Sequence, residues 1–397
     1  MFKIAKRTQD MNESATLQMA QMARELTSKG HDIINLSLGE PDFDTPLHIK
    51  EKAIEAIRQG FTKYTPVAGT MELREAISRK FLRENHLDYK PSQIVVSNGA
   101  KQSFANLCFA TLNKGDEVII FSPYWVSYFE IIKLAGAIPV IVSSEVNDDY
   151  KPSASDLKKA ITNQTRFIIF SSPCNPTGTV FTRIDFENYV DVLKNYPDIF
   201  IVADEIYEHI LFEDDHISIG SFYGMNERTV TINGFSKGFA MTGWRLGYMG
   251  APKEIADACT KIQGQFTSGA ASFTQKAGAF ALESDLTPTK EMCAAFKNRR
   301  DVLLNKIAEI TKWKVNQPKG AFYVLPEVDA YFNMSYEHYK INTANDLAIY
   351  ILNEAQVALV SGEAFGAPKC LRISYSLSEA KIIEAVDRIK KALDKLS

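Results

Sequence analysis

Between residues 45 and 285 the chain alternates short apolar runs with stretches of helical spacing. The runs fall at 94–96, 118–121, 138–142, 167–170, 200–203, 230–232 and 246–249, and segments such as 101–112, 125–135 and 183–195 separate most of them. Strand and helix in alternation predict a mainly parallel sheet covered on both faces, a doubly wound α/β domain. At its start, Thr45-Pro46 reads as an N-cap and first turn, with Ile49, Ala53, Ile54 and Ile57 on one face and Gly60 ending the helix.

After residue 285 the pattern changes to longer charged helices, at 287–310, 344–355 and 378–395. Strands are expected near 321–325, 358–360 and 371–375. This predicts a smaller α+β domain. The helical stretch 14–29 and the extended 33–38 are expected to return to it and make it discontinuous. The expected division is therefore 1–44 (N-terminal arm and part of the small domain), 45–285 (large domain) and 286–397 (small domain), with no internal repeat or low-complexity linker.

Composition narrows the function classes. A length of 397 residues suits two or three domains, and 45% hydrophobic with 23% charged residues is ordinary for a globular chain. With 45 basic and 48 acidic residues interspersed, a net charge of −3 gives no footprint for nucleic acid, so small anions must be met by individually placed cations. The five cysteines form no C-x-x-C pair, which points away from disulfides and zinc and toward a reducing, cytoplasmic setting. Neither a signal-peptide core nor a membrane-spanning stretch is present, so a soluble, unprocessed chain is expected.

Chemistry gathers at the ends of the apolar runs, where ligands of open parallel sheets collect. Asn175 follows 167–170, Asp204 follows 200–203, and Lys237 follows 230–232. Lys237 lies in Gly-Phe-Ser-Lys-Gly-Phe-Ala-Met-Thr-Gly-Trp-Arg-Leu-Gly (234–247), beside Ser236 and close before Arg245. A lysine kept neutral by burial can form a Schiff base with an aldehyde, while a hydroxyl and a guanidinium suit a phosphate. An acid at a strand end requires a cation, and a protonated pyridine nitrogen would serve Asp204; Tyr207 and Asn175 can then reach a ring hydroxyl. The small residues Gly99, Ala100 and Lys101 open a helix where backbone amides can meet a phosphate. Plain alternatives exist for each: a turn at Asn-Pro-Thr-Gly, a helix cap at Asp204, a tight strand-to-helix turn at 99–101. No dinucleotide or Walker phosphate motif occurs.

Taken together, these segments resemble the class I aminotransferases of fold type I, pyridoxal 5′-phosphate (PLP) enzymes, and within them the bacterial aspartate aminotransferase subgroup. The resemblance runs from Ser-Leu-Gly-Glu-Pro-Asp-Phe-Asp (37–44) and Tyr-Thr-Pro-Val-Ala-Gly (64–69) to Leu-Arg-Ile-Ser-Tyr-Ser (371–376). It implies Lys237 as Schiff-base lysine and proton shuttle and Asp204 on the ring nitrogen. Asn175 and Tyr207 would contact the ring hydroxyl and Trp125 the cofactor and substrate, with Ser236, Arg245 and the 99–101 turn on the phosphate. Tyr64 matches a tyrosine that reaches the phosphate of a neighbouring subunit, which implies a homodimer. Cys174 stands where the family has the first Asn of Asn-Asn-Pro and leaves Asn175 in place.

Arg372, flanked by apolar residues, suits a substrate α-carboxylate, and the family places it there opposite the Gly39 backbone. For a side-chain carboxylate the subgroup uses residues matching Ser14, Thr16 and Lys101; a solvated Lys101 is the alternative. The expected reaction exchanges an amino group between aspartate and 2-oxoglutarate, with some members of the subgroup also accepting prephenate. An aromatic-preferring aminotransferase or β-lyase on the same scaffold is the alternative, and a cofactor-sensing regulator is disfavoured because no basic helix-turn-helix precedes the domain. The histidines, His209 and His216 included, show no metal-ligand spacing and are expected at surface or helix positions, with no metal bound. The aromatics at Phe121, Tyr124, Tyr128 and Phe129 are read mostly as core.

Overall fold

The computed structural model describes residues 2–9, 11, 15–213 and 215–397. After the short β1 (Ile34–Asn35), every apolar run of the central region becomes a strand of one sheet: β2 (Ile94–Ser97), β3 (Glu117–Ser122), β4 (Ile138–Ser143), β5 (Thr165–Ser171), β6 (Phe200–Asp204), β7 (Thr229–Gly234) and β8 (Gly247–Gly250). Their order is β2-β8-β7-β6-β5-β3-β4. The strands from β7 to β4 are parallel, whereas β8 runs antiparallel to both β7 and β2. Gly247 pairs with both Ser97 and Gly234, so β8 begins where its neighbours end. Residues just before β8 therefore join the carboxyl edge of the parallel strands.

Alternate side chains of these strands enter different cores. Val118 and Ile120 of β3 pack with Phe167 and Ile169, while Ile119 and Phe121 pack with Ile168 and Phe170. Both faces of the sheet are covered, which is why its strands read as unbroken apolar runs. The helices Ala100–Thr111, Val126–Leu134 and Arg183–Leu193 lie close to the expected spans.

One local expectation is corrected. Thr45 does not cap the first helix of this region: Pro46 is the N-cap of Leu47–Arg58, and the Thr45 hydroxyl donates to the Ala240 carbonyl at 2.7 Å. The same hydroxyl accepts from Trp244 Nε1 at 3.0 Å, so both of its bonds go to the 240–244 segment and not to the helix N-terminus. Ile49, Ala53 and Ala56 are buried on this helix, whereas Ile54 and Ile57 are exposed in the single chain.

The C-terminal third builds a second core from helices Thr287–Ile307, Ala344–Glu354 and Glu379–Leu393. Its strands are β9 (Tyr323–Val324), β10 (Met334–Tyr336), β11 (Tyr339–Ile341), β12 (Val357–Ala358), β13 (Val360–Ser361) and β14 (Leu371–Ser374), with an antiparallel β13-β14-β9 sheet and a β10-β11 hairpin. Met19 and Ala23 of helix Ala15–Ser28 share this core, and β1 pairs in parallel with β12. The N-terminal segment thus returns to the C-terminal third. Among the described residues no helix is long and apolar enough to cross a membrane, and all five cysteines are free.

Candidate active site

The sheet brings its polar strand ends to one edge. Asp204 closes β6 and pairs in register with Ser171 of β5 and Ile232 of β7. Asn175 lies just beyond β5, Lys237 just beyond β7, Gly99 just beyond β2, and Arg245 just before the reversed β8.

Packing at this edge requires glycine twice. Gly99 has φ +90°, and a Cβ there would lie 2.5 Å from Arg245 Nη2. A Cβ on Gly247 would lie 2.2 Å from the Ala100 nitrogen. These glycines let the start of β8 and the Arg245 guanidinium close onto the N-terminus of helix Ala100–Thr111. The Gly99 amide, expected at the phosphate, instead donates to the Ser97 carbonyl at 2.8 Å. First-turn amides have no acceptor within their helix, so Ala100 and Lys101 remain to meet an anion. Arg245 donates to the carbonyls of Thr242 (2.9 Å) and Asn98 (3.3 Å) and joins no ion pair among the described residues. Ser236 is buried nearby on the Lys237 loop.

Lys237 and Asp204 are each shifted toward the neutral form. Burial pulls the Lys237 ammonium down to about 8; Glu40 opposes this, and Arg372 and Arg245 add to it. Its Nζ donates to the Gly39 carbonyl. Burial likewise raises the Asp204 carboxyl to about 6, against hydrogen bonds from the Tyr128 hydroxyl and the Ile206 amide. Asp204 has no ion-pair partner among the described residues. Tyr207 places its hydroxyl 2.8 Å from that of Tyr323, whose oxygen in turn would lie 2.9 Å from a Cβ on Gly39.

Arg372 is fully buried on β14. Its Nη2 donates to the Ser37 carbonyl at 2.6 Å and its Nη1 to Asn175 Oδ1 at 3.1 Å, while Nε is buried without a partner among the described residues. The guanidinium sits 4.7 and 4.9 Å from the Tyr323 and Phe365 ring centroids. A buried charge with only neutral acceptors is costly unless a ligand supplies the counter-ion. Lys101 is exposed on the first turn of helix Ala100–Thr111 and extends its ammonium 5.0 Å from the Trp125 ring centroid; partial desolvation there and Arg245 lower its pKa. Trp125 meets Tyr128 edge-on at 5.2 Å.

Some expectations do not meet at this edge. Ser14 lies outside the described residues. Thr16 is half-buried on the first turn of helix Ala15–Ser28, and Tyr64 is 99% exposed in the single chain. His209 and His216, expected at surface or helix positions, are instead drawn into a buried network with Glu84, Glu205 and Glu208. Tyr128, read as core, is a polar partner of Asp204. It follows Trp125 at the end of β3, so the strand-end logic that singled out Asp204 extends to it. Tyr323 carried no such signal, because it arrives from β9.

The residues present fit PLP. Lys237 would hold its aldehyde, Asp204 its ring nitrogen, and Ser236, Arg245 and the amides of Ala100 and Lys101 its phosphate. The Asp204 carboxyl without a cation and the glycine-lined approach to Arg245 are the observations behind that fit. A family profile described as aminotransferase class I and II matches residues 31–389. The chain is 46% identical to a bifunctional aspartate aminotransferase and glutamate/aspartate-prephenate aminotransferase of Petunia hybrida, across 98% of this chain and 82% of that one. It superposes on the aspartate aminotransferase of Rhizobium meliloti with a TM-score of 0.96 at 38% identity over 100% of both chains. An aromatic aminotransferase of Pyrococcus horikoshii superposes with a TM-score of 0.87 at 39% identity over 94% of this chain and 98% of that one. The chain belongs to the class I and II aminotransferase family and is a PLP-dependent transaminase of the fold type I architecture.

Proposed function

We propose that this enzyme exchanges the amino group of aspartate with 2-oxoglutarate and that prephenate is a further acceptor. One observation carries the dicarboxylate reading: three cations gather at the carboxyl edge, the buried Arg372 and the exposed Arg245 and Lys101, and none has an acidic partner among the described residues. A phosphorylated cofactor with a dicarboxylate substrate presents three anionic groups to match them.

Bound PLP supplies an aldehyde that carries the amino group and a ring that accepts the electron pair of the substrate Cα. Lys237, with its pKa drawn down to about 8, would take the Cα proton at Nζ and pass it to the aldehyde-derived carbon of the cofactor. Asp204 keeps the ring nitrogen protonated, and Asn175 and Tyr207 orient the ring through its hydroxyl. Arg372 orients the α-carboxylate opposite the Gly39 backbone, and Lys101, with Thr16 and Ser14, receives the side-chain carboxylate. Trp125 covers cofactor and substrate.

The assembly in this reading is a cytoplasmic homodimer. Tyr64 reaches the neighbouring phosphate, and the chain divides into a large domain, 45–285, and a small domain of 286–397 joined by part of the 1–44 arm. Its support is the exposure of Tyr64 together with Ile54 and Ile57. The test is kcat/KM across aspartate, glutamate, phenylalanine and alanine, with 2-oxoglutarate and prephenate as acceptors, alongside light scattering. A preference for aromatic over acidic donors would overturn the substrate assignment, and a monomer with full activity would overturn the role of Tyr64.

A further inference from the structure

The turn that carries Asp204 and Tyr207 also carries Glu205, Glu208 and His209, and these three reach a separate set of partners. Lys80, the last residue of helix Met71–Lys80 and wholly buried, forms an ion pair with Glu208 and donates to Asn85 Oδ1 at 2.7 Å. Asn85 Nδ2 donates to both Glu205 Oε2 and Glu208 Oε2, each at 2.8 Å. Glu205 also accepts from Ser218 Oγ and lies 3.1 Å from His216 Nε2. His209 Nε2 is 2.9 Å from Glu84 Oε2, and its ring meets Phe239 edge-on at 5.5 Å on the loop that carries Lys237. The fit there is close, since a Cβ on Gly238 would lie 2.6 Å from His209 Nδ1.

Two readings compete with positioning. A metal site is suggested by Glu84, Glu208 and His209 and by Glu205, Glu208 and His216, whose ligand atoms lie within 4.8 Å of one another. The Lys80 ammonium already pairs with Glu84 and Glu208, and Asn85 Nδ2 lies between Glu205 and Glu208. Plain stabilisation is the other reading, but buried ion pairs are commonly replaced by apolar residues at no loss of stability. Directional bonds add something an apolar core cannot. Asn85 bridges the carboxylates on either side of Tyr207, and the Glu208 amide donates to the Glu205 carbonyl at 2.9 Å, which holds the turn closed.

We propose that Lys80, Asn85, Glu205 and Glu208 form a positioning frame that fixes Asp204 and Tyr207 against the cofactor ring and, through His209, the loop that carries Lys237. The inference rests on the reading of these three as cofactor residues. None of the frame residues touches the reacting atoms; they act through the turn.

The experiment compares the parent with Lys80→Met, which strands the Glu208 carboxylate, and with Lys80→Met/Glu208→Met, which removes both charges. Readouts are PLP affinity of the apo protein, the pH midpoint of bound-cofactor absorbance, kcat and KM for aspartate, and the melting temperature. Lys80→Met is expected to weaken PLP binding and kcat about tenfold and to shift the absorbance midpoint, with KM changed less than about twofold. The double variant regains melting temperature but keeps the shifted midpoint and weaker cofactor. A double variant with parental stability, midpoint and affinity overturns the frame and leaves a structural ion pair. Should neither variant fold, Asn85→Ser keeps the ion pair, removes the bridge, and carries the same test on the same midpoint. Lack of a cofactor spectrum in the parent would overturn the site reading and this inference together, whereas a normal parental spectrum with unshifted variants overturns the inference alone.

Discussion

Two buried carboxylates on one turn, Asp204 and Glu208, are perturbed in opposite directions. For Glu208 burial acts to raise the pKa, yet Lys80, His209 and His216 outweigh it and hold the carboxyl down to about 2. For Asp204 burial wins, and the carboxyl rises to about 6. The rear of the turn is therefore satisfied by the chain itself, while the front holds charges that the chain leaves without counter-ions. Where a fold buries charge without completing it, a ligand is expected to do so. The contrast separates binding site from scaffold.

The largest effect expected on the front side comes from Lys237. Lys237→Ala should lower turnover by about a thousandfold or more, while PLP still binds and borohydride no longer fixes it to the protein. Turnover near the parental value would remove Lys237 from the proton-transfer role.

Asp204→Asn tests the comparison directly, because activity and stability should move in opposite directions. Turnover should fall about a hundredfold or more as the ring nitrogen loses its charged partner. A carboxyl whose folded pKa of about 6 lies above its ordinary 3.8 binds protons more tightly when folded, so its ionisation costs stability as pH rises through that window. The apo variant should therefore gain up to about 3 kcal/mol over the parent at pH 8 and nothing below pH 4. Glu208 has the reverse sign: its contribution is full above 4.5 and is lost as pH falls toward 2. Apo Glu208→Gln should thus be less stable than the parent at pH 8, and denaturant melts at the two pH values read both variants.

The two substrate cations should separate by substrate. Arg372→Ala is expected to cut kcat/KM about a hundredfold for every amino acid, since all share the α-carboxylate. Lys101→Ala should cost aspartate and glutamate about tenfold or more and leave phenylalanine and alanine within about threefold. Equal losses across all four in Lys101→Ala would return that lysine to the phosphate turn.

Tyr128→Phe sharpens the contrast most gently. Removing its hydroxyl takes away a hydrogen bond that opposes the rise of the Asp204 pKa. The bound-cofactor absorbance midpoint should move and turnover should fall only about three- to tenfold. An unchanged midpoint would confine Tyr128 to packing against Phe104 and Trp125.

Much of the sheet was legible because periodicity is local: seven apolar runs of the central region became β2 to β8, and Asn175, Asp204 and Lys237 stood at their ends. The family motifs around Lys237 and Arg372 were equally visible. The β10-β11 hairpin was not, since Met334–Tyr336 and Tyr339–Ile341 are short and only partly buried, leaving little hydrophobic pattern. Thr45 was misread because its hydroxyl is claimed by Ala240, far along the chain.

Direction and partnership belong to the tertiary structure. Nothing in residues 246–249 says that β8 reverses, yet that reversal puts Arg245 at the phosphate edge and makes glycine necessary at 99 and 247. Likewise Lys80, Asn85, Glu205 and Glu208 share no spacing, and only packing of helix Met71–Lys80 against the 204–209 turn joins them. Propensity and hydrophobic period are written within a few neighbouring residues, so the sequence by itself determined the elements and the chemistry at their ends. Which buried charge finds a partner and which is left for a ligand depends on segments distant in the chain meeting in a medium without water, and that was decided only when the chain folded.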